Sequence, residues 1–317
     1  MGTDLHIHAD HAQIVNDART AYDKLDKAGK NSLKTEYKRL TACEKTLKKN
    51  EKAVQKVQTL LAKLPATEDV MTKLSLTDKK NVTAAEKAYN PLTEDQRTFF
   101  TEDEHAKMQA NSERMQTLIE GETLIKAAEK AIKSLPADTK IKATDSKKLE
   151  TAQEAYDKVK NSEDGLTIDP KLAEKFETSR TAYYAYQQQA EDFRSEYLDA
   201  LPKDANAVTA EYETAIPAAR TAYKALSKNV QSFIEKAEVS HLKACEKTLK
   251  KNQSAAGKVD KLIAKLPADV NAEFTAKDEK AINAAWKAYS KLTSEQKTFL
   301  EDEQHLLDCY NKAYPEG

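Results

Sequence analysis

The sequence predicts an all-α chain: a linear array of three-helix bundles, each about 67 residues long, joined by long helices that neighbouring bundles share. Three observations predict it. Composition is that of Ala/Lys/Glu-rich helices with thin cores, at 39% hydrophobic and 32% charged residues with only 6 Gly and 1 Trp. A tyrosine motif recurs at a nearly fixed period. A long apolar seam, Leu40 to Leu64, is echoed at Leu242 to Leu266.

The periodic motif is apolar-x2-Ala-x3-Tyr-x2-apolar. It occurs at Val15/Ala18/Tyr22/Leu25, Val82/Ala85/Tyr89/Leu92, Leu149/Ala152/Tyr156/Val159, Ile216/Ala219/Tyr223/Leu226 and Ile282/Ala285/Tyr289/Leu292. The interval from Tyr22 to Tyr89 is repeated to Tyr156 and again to Tyr223, and the step to Tyr289 is shorter by a single position. Steps of 3, 4 and 3 put the ring, the small residue and two aliphatics on one helical face, which predicts a short helix packing a tyrosine against its neighbours. In the fourth occurrence Pro217 predicts a helix that begins with proline in its first turn.

A turn with a helix-start signal follows. Thr93 precedes Gln96 by three, and Thr293 precedes Gln296 by three, the reciprocal arrangement that satisfies two orphan N–H groups. A second helix is expected there, with a buried aromatic seven residues after the last aliphatic, at Phe99, Phe233 and Phe299.

The third helix is the long one. Leu40, Cys43, Leu47, Asn50, Val54, Val57, Leu61 and Leu64 step by 3 and 4 in alternation, as do Leu242, Cys245, Leu249, Asn252, Ala256, Val259, Ile263 and Leu266. Both seams carry the run Ala-Cys-Glu-Lys-Thr-Leu-Lys-Lys-Asn. Long helices end at Leu64-Pro65, Leu135-Pro136, Leu201-Pro202 and Leu266-Pro267, where proline cannot continue the ladder. About 30 residues give a helix of roughly 45 Å, too long for one compact bundle. Fourteen residues before each of these leucines stand Asn50, Gly121, Gln187 and Asn252. Either the stripe is interrupted there because the helix passes from one bundle to the next, with the residue exposed or half-exposed, or these are ordinary polar residues of such helices.

The third repeat carries extra loop residues from Asn161 to Pro170, with Gly165 and Pro170 as breakers, and an aromatic-rich long helix. The first lacks a clear lead-in, and the fifth stops at Gly317 before any Leu-Pro, so both ends read as cuts through a longer array. The expected division is a flexible tail over 1–11, repeats over 12–73, 74–140, 141–207 and 208–272, and a partial repeat over 273–317.

Residues 84–97 (Ala-Ala-Glu-Lys-Ala-Tyr-Asn-Pro-Leu-Thr-Glu-Asp-Gln-Arg) and 284–297 (Ala-Ala-Trp-Lys-Ala-Tyr-Ser-Lys-Leu-Thr-Ser-Glu-Gln-Lys), each tied to a Leu-Pro helix end, resemble helical repeats of Gram-positive bacterial cell-surface, surface-layer and secreted proteins. The resemblance covers nearly the whole chain. It implies a three-helix spacer, extracellular at the cell surface of a Gram-positive bacterium. Its partners would be other surface modules or copies of itself. The motif consists of packing and capping residues and brings no catalytic residue with it.

Charge excludes one partner class: Lys plus Arg is 51 against 52 Asp plus Glu, so no positive excess draws a phosphate backbone, and nucleic acid is not expected. No apolar run reaches the roughly 20 residues of a membrane span, so no membrane insertion is expected.

Three features invite a chemical reading. His6 and His8 within Asp4-Leu5-His6-Ile7-His8-Ala9-Asp10-His11 resemble the opening metal ligands of amidohydrolase-type barrels and related phosphoesterases. Those enzymes need further His and Asp ligands on later strands, and only His105, His241 and His305 remain. No enzyme and no cofactor are therefore expected, and His6, His8 and His11 are adventitious metal candidates. Cys43, Cys245 and Cys309 follow Tyr22, Tyr223 and Tyr289 at nearly the same distance, so they occupy one equivalent position, which reads as a small buried thiol or as a crosslink between chains. Tyr183, Tyr184 and Tyr186 cannot all face one core, so the third repeat offers a candidate aromatic face that recognises a host protein or partner chain, unless the rings merely fill a bulkier core.

Overall fold

A computed structural model describes residues 5–315, which are all-helical, with no strand among them. No helix among the described residues is long and apolar enough to cross a membrane. The chain divides into two compact bodies. One holds the residues up to Ala127 together with Lys158–Thr167, the other Ala128–Asp157 together with the residues from Ile168 on.

In the first body α1 (His11–Asp23), α2 (Lys27–Ser32) and α3 (Lys34–Leu61) are followed by α4 (Val70–Lys73), α5 (Lys79–Tyr89), α6 (Glu94–Arg97) and α7 (Glu102–Ser134), whose residues from Ala128 on belong to the second body. The seam read from the sequence is the buried face of α3, comprising Leu47, Asn50, Val54, Val57 and Leu61. Its apolar residues serve two cores. Leu47 packs with Val15 of α1 and Ile7. Val54, Val57 and Leu61 pack with Val82 and Ala85 of α5, and with Phe100.

Asn50 stands between these cores and is only 5% exposed. It is polar because a buried backbone carbonyl needs a donor there: Asn50 Nδ2 donates to Ile7 O at 3.0 Å. The exposure expected at this position is therefore corrected for Asn50 and for Asn252, which is 4% exposed.

The segment expected to be a flexible tail is instead seated, in its described part. Ile7 is 5% exposed, and Ala9 N donates to Thr98 Oγ1 at 3.0 Å. This stretch supplies the lead-in to the first tyrosine motif. Ile7 precedes Val15 by eight residues, as Leu74 precedes Val82, Ile141 precedes Leu149 and Val208 precedes Ile216, and all four lead-in residues are buried. Asp4 and Gly317 lie outside the described residues.

The helices that open at the two Thr/Gln boxes are short. α6 is a single turn capped by the Thr93/Gln96 box, and the chain re-enters α7 at Glu102. Because the turn is so tight, Phe100 at 8% exposure is the buried residue, while Phe99 is half-buried against both cores.

After α8 (Ser146–Lys160) the breakers act as expected: Gly165 has φ +62°, which glycine adopts at little cost, and Pro170 opens the next helix at its first position. Leu166 of this loop lies against Gly121, where a Cβ would stand 3.0 Å from Leu166 Cδ2. Gly121 is therefore a docking point for the inserted loop.

The second body contains α9 (Pro170–Phe193), α10 (Ala215–Ala225), α11 (Lys228–Gln231), α12 (Lys236–Ile263), α13 (Ala276–Tyr289), α14 (Ser294–Lys297) and α15 (Glu303–Ala313). Pro217 falls in the first turn of α10, as expected. α12 repeats the division seen in α3. Leu242, Cys245 and Leu249 join a core with Ile216 and Ala219 of α10, whereas Val259 and Ile263 join one with Ile282 and Ala285 of α13. Between them Asn252 Nδ2 donates to Val208 O at 2.8 Å.

α9 departs from the expected register. It continues through a π-turn at Arg194–Leu198, which inserts one residue before Leu201-Pro202. Tyr186 rather than Gln187 thus occupies the inward position, packed with Ala190, Phe193 and Val230, and Gln187 is exposed.

Candidate functional site

The three tyrosines singled out in the sequence do not form one surface. Tyr183 is half-buried in the core of Ile132, Leu149 and Phe176, with its ring 5.0 Å edge-on from Phe233. Tyr186 belongs to the core of Ala190 and Phe193. Tyr184, at 58%, is the one of the three that is largely exposed, its ring T-shaped to Tyr183 at 5.5 Å. Helical geometry explains the split, since adjacent residues lie about 100° apart and 183 and 186 share a face that 184 does not.

His6 and His8 converge on one carboxylate. His6 Nδ1 lies 3.1 Å from Asp95 Oδ2, and His8 Nε2 lies 3.1 Å from Asp95 Oδ1. His11 Nδ1 accepts instead from the backbone N–H of His8 at 3.2 Å, which ties the third imidazole into the local turn. The cluster fastens the lead-in to the first turn of α6. No group of three or more His, Cys, Asp or Glu placed to hold a metal ion occurs among the described residues.

The cysteines are free thiols at corresponding positions, Cys245 and Cys309 fully buried and Cys43 half-buried. Burial pushes the Cys245 and Cys309 thiols up from their ordinary value. The position also borders the turn after three of the Leu-Pro ends. There Asn111 Nδ2 donates to Pro65 O at 3.1 Å, Ser179 Oγ to Pro136 O at 3.1 Å, and His241 Nε2, one turn before Cys245, to Pro202 O at 2.8 Å.

An acidic hollow of about 390 Å³ is lined by Asp260, Glu301, Asp302 and His305. Two of its three carboxylates are already employed. Asp260 Oδ1 accepts from Glu301 N at 3.2 Å, and Asp302 Oδ1 caps α15 through His305 N at 3.2 Å. Burial raises the Asp260 carboxyl above its ordinary value, with the Glu301 charge adding to the shift.

A different surface was not anticipated from the sequence. Tyr22 and Leu25 at the end of α1, with Leu33, Tyr37 and Leu40 around the start of α3, line an almost wholly apolar groove of about 370 Å³. Tyr22 and Tyr37 stack with centroids 4.6 Å apart, and the Arg19 guanidinium lies 5.1 Å from the Tyr37 centroid. Arg19 is held in place by a two-pronged bond to Glu44, which lowers the Glu44 carboxyl from its usual range. Leu33 and Tyr37 are 36% and 38% exposed, unusual for residues at seam positions. The available sequence signal was positional: Leu33 stands in its repeat where Phe100 stands in the next.

Comparison with protein-family models, with curated proteins and with solved structures finds no match to this chain.

Proposed function

We propose that the chain is a non-catalytic structural spacer: an array of three-helix repeats over 12–73, 74–140, 141–207, 208–272 and, in part, 273–317, each long helix shared by two neighbours. The observation that carries the reading is the division of α3 and of α12. In each, the residues before Asn50 or Asn252 pack with one Tyr-motif helix and those after it with the next. Nearest-neighbour coupling of this kind is how solenoid and repeat arrays gain their stability. In the acidic hollow Asp260 serves as a backbone acceptor and Asp302 as a helix cap, which suits a structural role.

In this reading the protein holds other modules away from a Gram-positive bacterial surface, or tiles with copies of itself within a surface coat. Its setting is extracellular. Support for that setting is the resemblance of residues 84–97 and 284–297 to surface-protein repeats, together with a balanced charge that favours neither nucleic acid nor lipid.

Small-angle scattering of the whole chain tests the architecture. If each repeat advances by half a long helix, ~21 Å, an array of this length has a radius of gyration of about 30 Å. A compact globule of the same length gives about 20 Å. The larger value supports the spacer, and the smaller one sinks it.

A second reading, an adhesin-type module that recognises a host protein or partner chain through the third repeat, is favoured by the exposed ring of Tyr184. Binding that survives Tyr184→Ala would remove its support.

A further inference from the structure

The apolar groove beside Tyr22 has counterparts in the second, fourth and fifth repeats, and each is covered, while the third carries its inserted loop at this place. In the second repeat the places of Tyr22, Leu25 and Leu33 are taken by Tyr89, Leu92 and Phe100, which pack on Val54, Val57 and Leu61 from the second half of α3. In the fourth they are taken by Tyr223, Leu226 and Ile234, which pack with Ala190 and Phe193 from the second half of α9. In the fifth, Tyr289, Leu292 and Leu300 pack with Val259 and Ile263 from the second half of α12. The exposure follows the cover: Phe100 is 8% and Ile234 6% exposed and Leu300 is half-buried, against 36% for Leu33.

We infer that the face formed by Tyr22, Leu25, Leu33 and Tyr37 is a docking surface for the second half of a long helix from a further repeat of the same class. This rests on the array reading. The occupant is defined by the helices that fill the counterpart faces: an amphipathic helix with apolar residues at alternating steps of 3 and 4, ending in Leu-Pro.

One residue sharpens its identity. Gln96 donates to Asn50 of the preceding long helix, and Gln296 is likewise buried at 8% exposure. Where α11 replaces this glutamine by Val230, the preceding helix presents Tyr186 and no asparagine. The corresponding residue in the first repeat is Gly29, which has no side-chain amide to offer. An occupant of the α9 type, with a large aromatic or apolar residue at the Asn50 position, is the one chosen for the test, because it forgoes the bond of the Gln96–Asn50 kind that Gly29 has no side chain to make.

The test keeps the chain from Ile7 onward and supplies the helix in register. Val208 corresponds to Ile7, so residues 180–207 are placed directly ahead of Ile7, and backbone hydrogen exchange over residues 22–40 is compared with that of the unextended chain. The inference expects exchange there to slow at least tenfold, and Leu33→Asp in the extended chain to restore the faster rate. An extension carrying Phe193→Asp and Tyr197→Asp should give no protection. Unchanged exchange at 22–40 in the extended chain, or protection that persists with Leu33→Asp, overturns it. Scattering separates the two claims. An elongated chain without protection sinks the docking surface alone, whereas a compact chain sinks the array on which it rests.

Discussion

Gln96 Nε2 donates to Asn50 Oδ1 at 3.2 Å, and Asn50 Nδ2 passes the connection on to Ile7 O at 3.0 Å. Because Gln96 Oε1 also accepts from Thr93 N at 3.0 Å, one buried relay joins the lead-in, the middle of α3 and the start of α6. Asn50→Leu removes a donor and an acceptor at once and leaves Ile7 O and Gln96 Nε2 without those partners. The expected cost is about 1–3 kcal/mol. Adding Gln96→Leu should cost less than it does alone, since its partner is already gone. A urea midpoint unchanged by Asn50→Leu would show that the relay contributes nothing.

Leu249 packs at 5% exposure in the core it forms with Leu242, Cys245 and Ile216. Leu249→Ala is expected to cost about 2–5 kcal/mol through lost transfer energy and the cavity left behind. Hydrogen exchange of α10 and α12 is the suitable readout, because a two-body chain need not unfold in one step. A loss under about 1 kcal/mol would mean that the site collapses around the alanine.

The tyrosines of α9 should separate in the same way that their surroundings do. Tyr183→Ala removes a ring packed on Phe233 and is expected to destabilise by about 2 kcal/mol or more. Tyr184→Ala removes an exposed ring and should change stability by less than about 0.5 kcal/mol. Thermal melts that give the two variants equal losses would contradict the placement.

How much of this could be read beforehand depends on the kind of signal. Seam residues such as Val57 and Val259 were legible because burial on a helix imposes steps of 3 and 4. The Thr93/Gln96 box was legible because capping is local. The buried role of Asn50 was not, since its reason is the carbonyl of Ile7, 43 residues away. The π-turn at Arg194–Leu198 shifted the register by one and made Gln187 look inward where Tyr186 is. Ile7 itself was recoverable: its eight-residue spacing to Val15 matches the other lead-ins, but a histidine-rich setting drew the reading toward metal chemistry. The groove at Leu33 lacks a sequence motif of its own, and only comparison with Phe100 and Ile234 shows that its cover is missing.

Thiol labelling should follow burial. Cys43 is half-buried, while Cys245 and Cys309 are fully buried with their thiols pushed up by desolvation. At neutral pH a disulfide reagent such as DTNB is expected to modify one thiol promptly and all 3 after denaturation. Cys43→Ser should abolish the prompt phase. Rapid modification of Cys245 in the native chain would show that α12 opens more readily than its packing implies.

Acid should weaken the second body partly through one ion pair. Arg220 Nε and Nη2 donate to Glu246 Oε1 and Oε2, both at 2.7 Å, and these bonds hold the Glu246 carboxyl below its ordinary value of about 4.5. A carboxyl whose pKa is depressed by folding contributes stability that is fully present above the ordinary value and is lost as pH falls through the folded one. The partner adds no window of its own, because the same bonds keep the guanidinium charged throughout. Glu246→Gln should therefore lower stability at pH 7 and flatten its decline below about pH 4.5, the two chains converging at the acid end. Urea midpoints at pH 7, 5 and 3 would show this convergence, and a difference between the chains that stays constant across the series would assign the role of Glu246 to packing instead of charge.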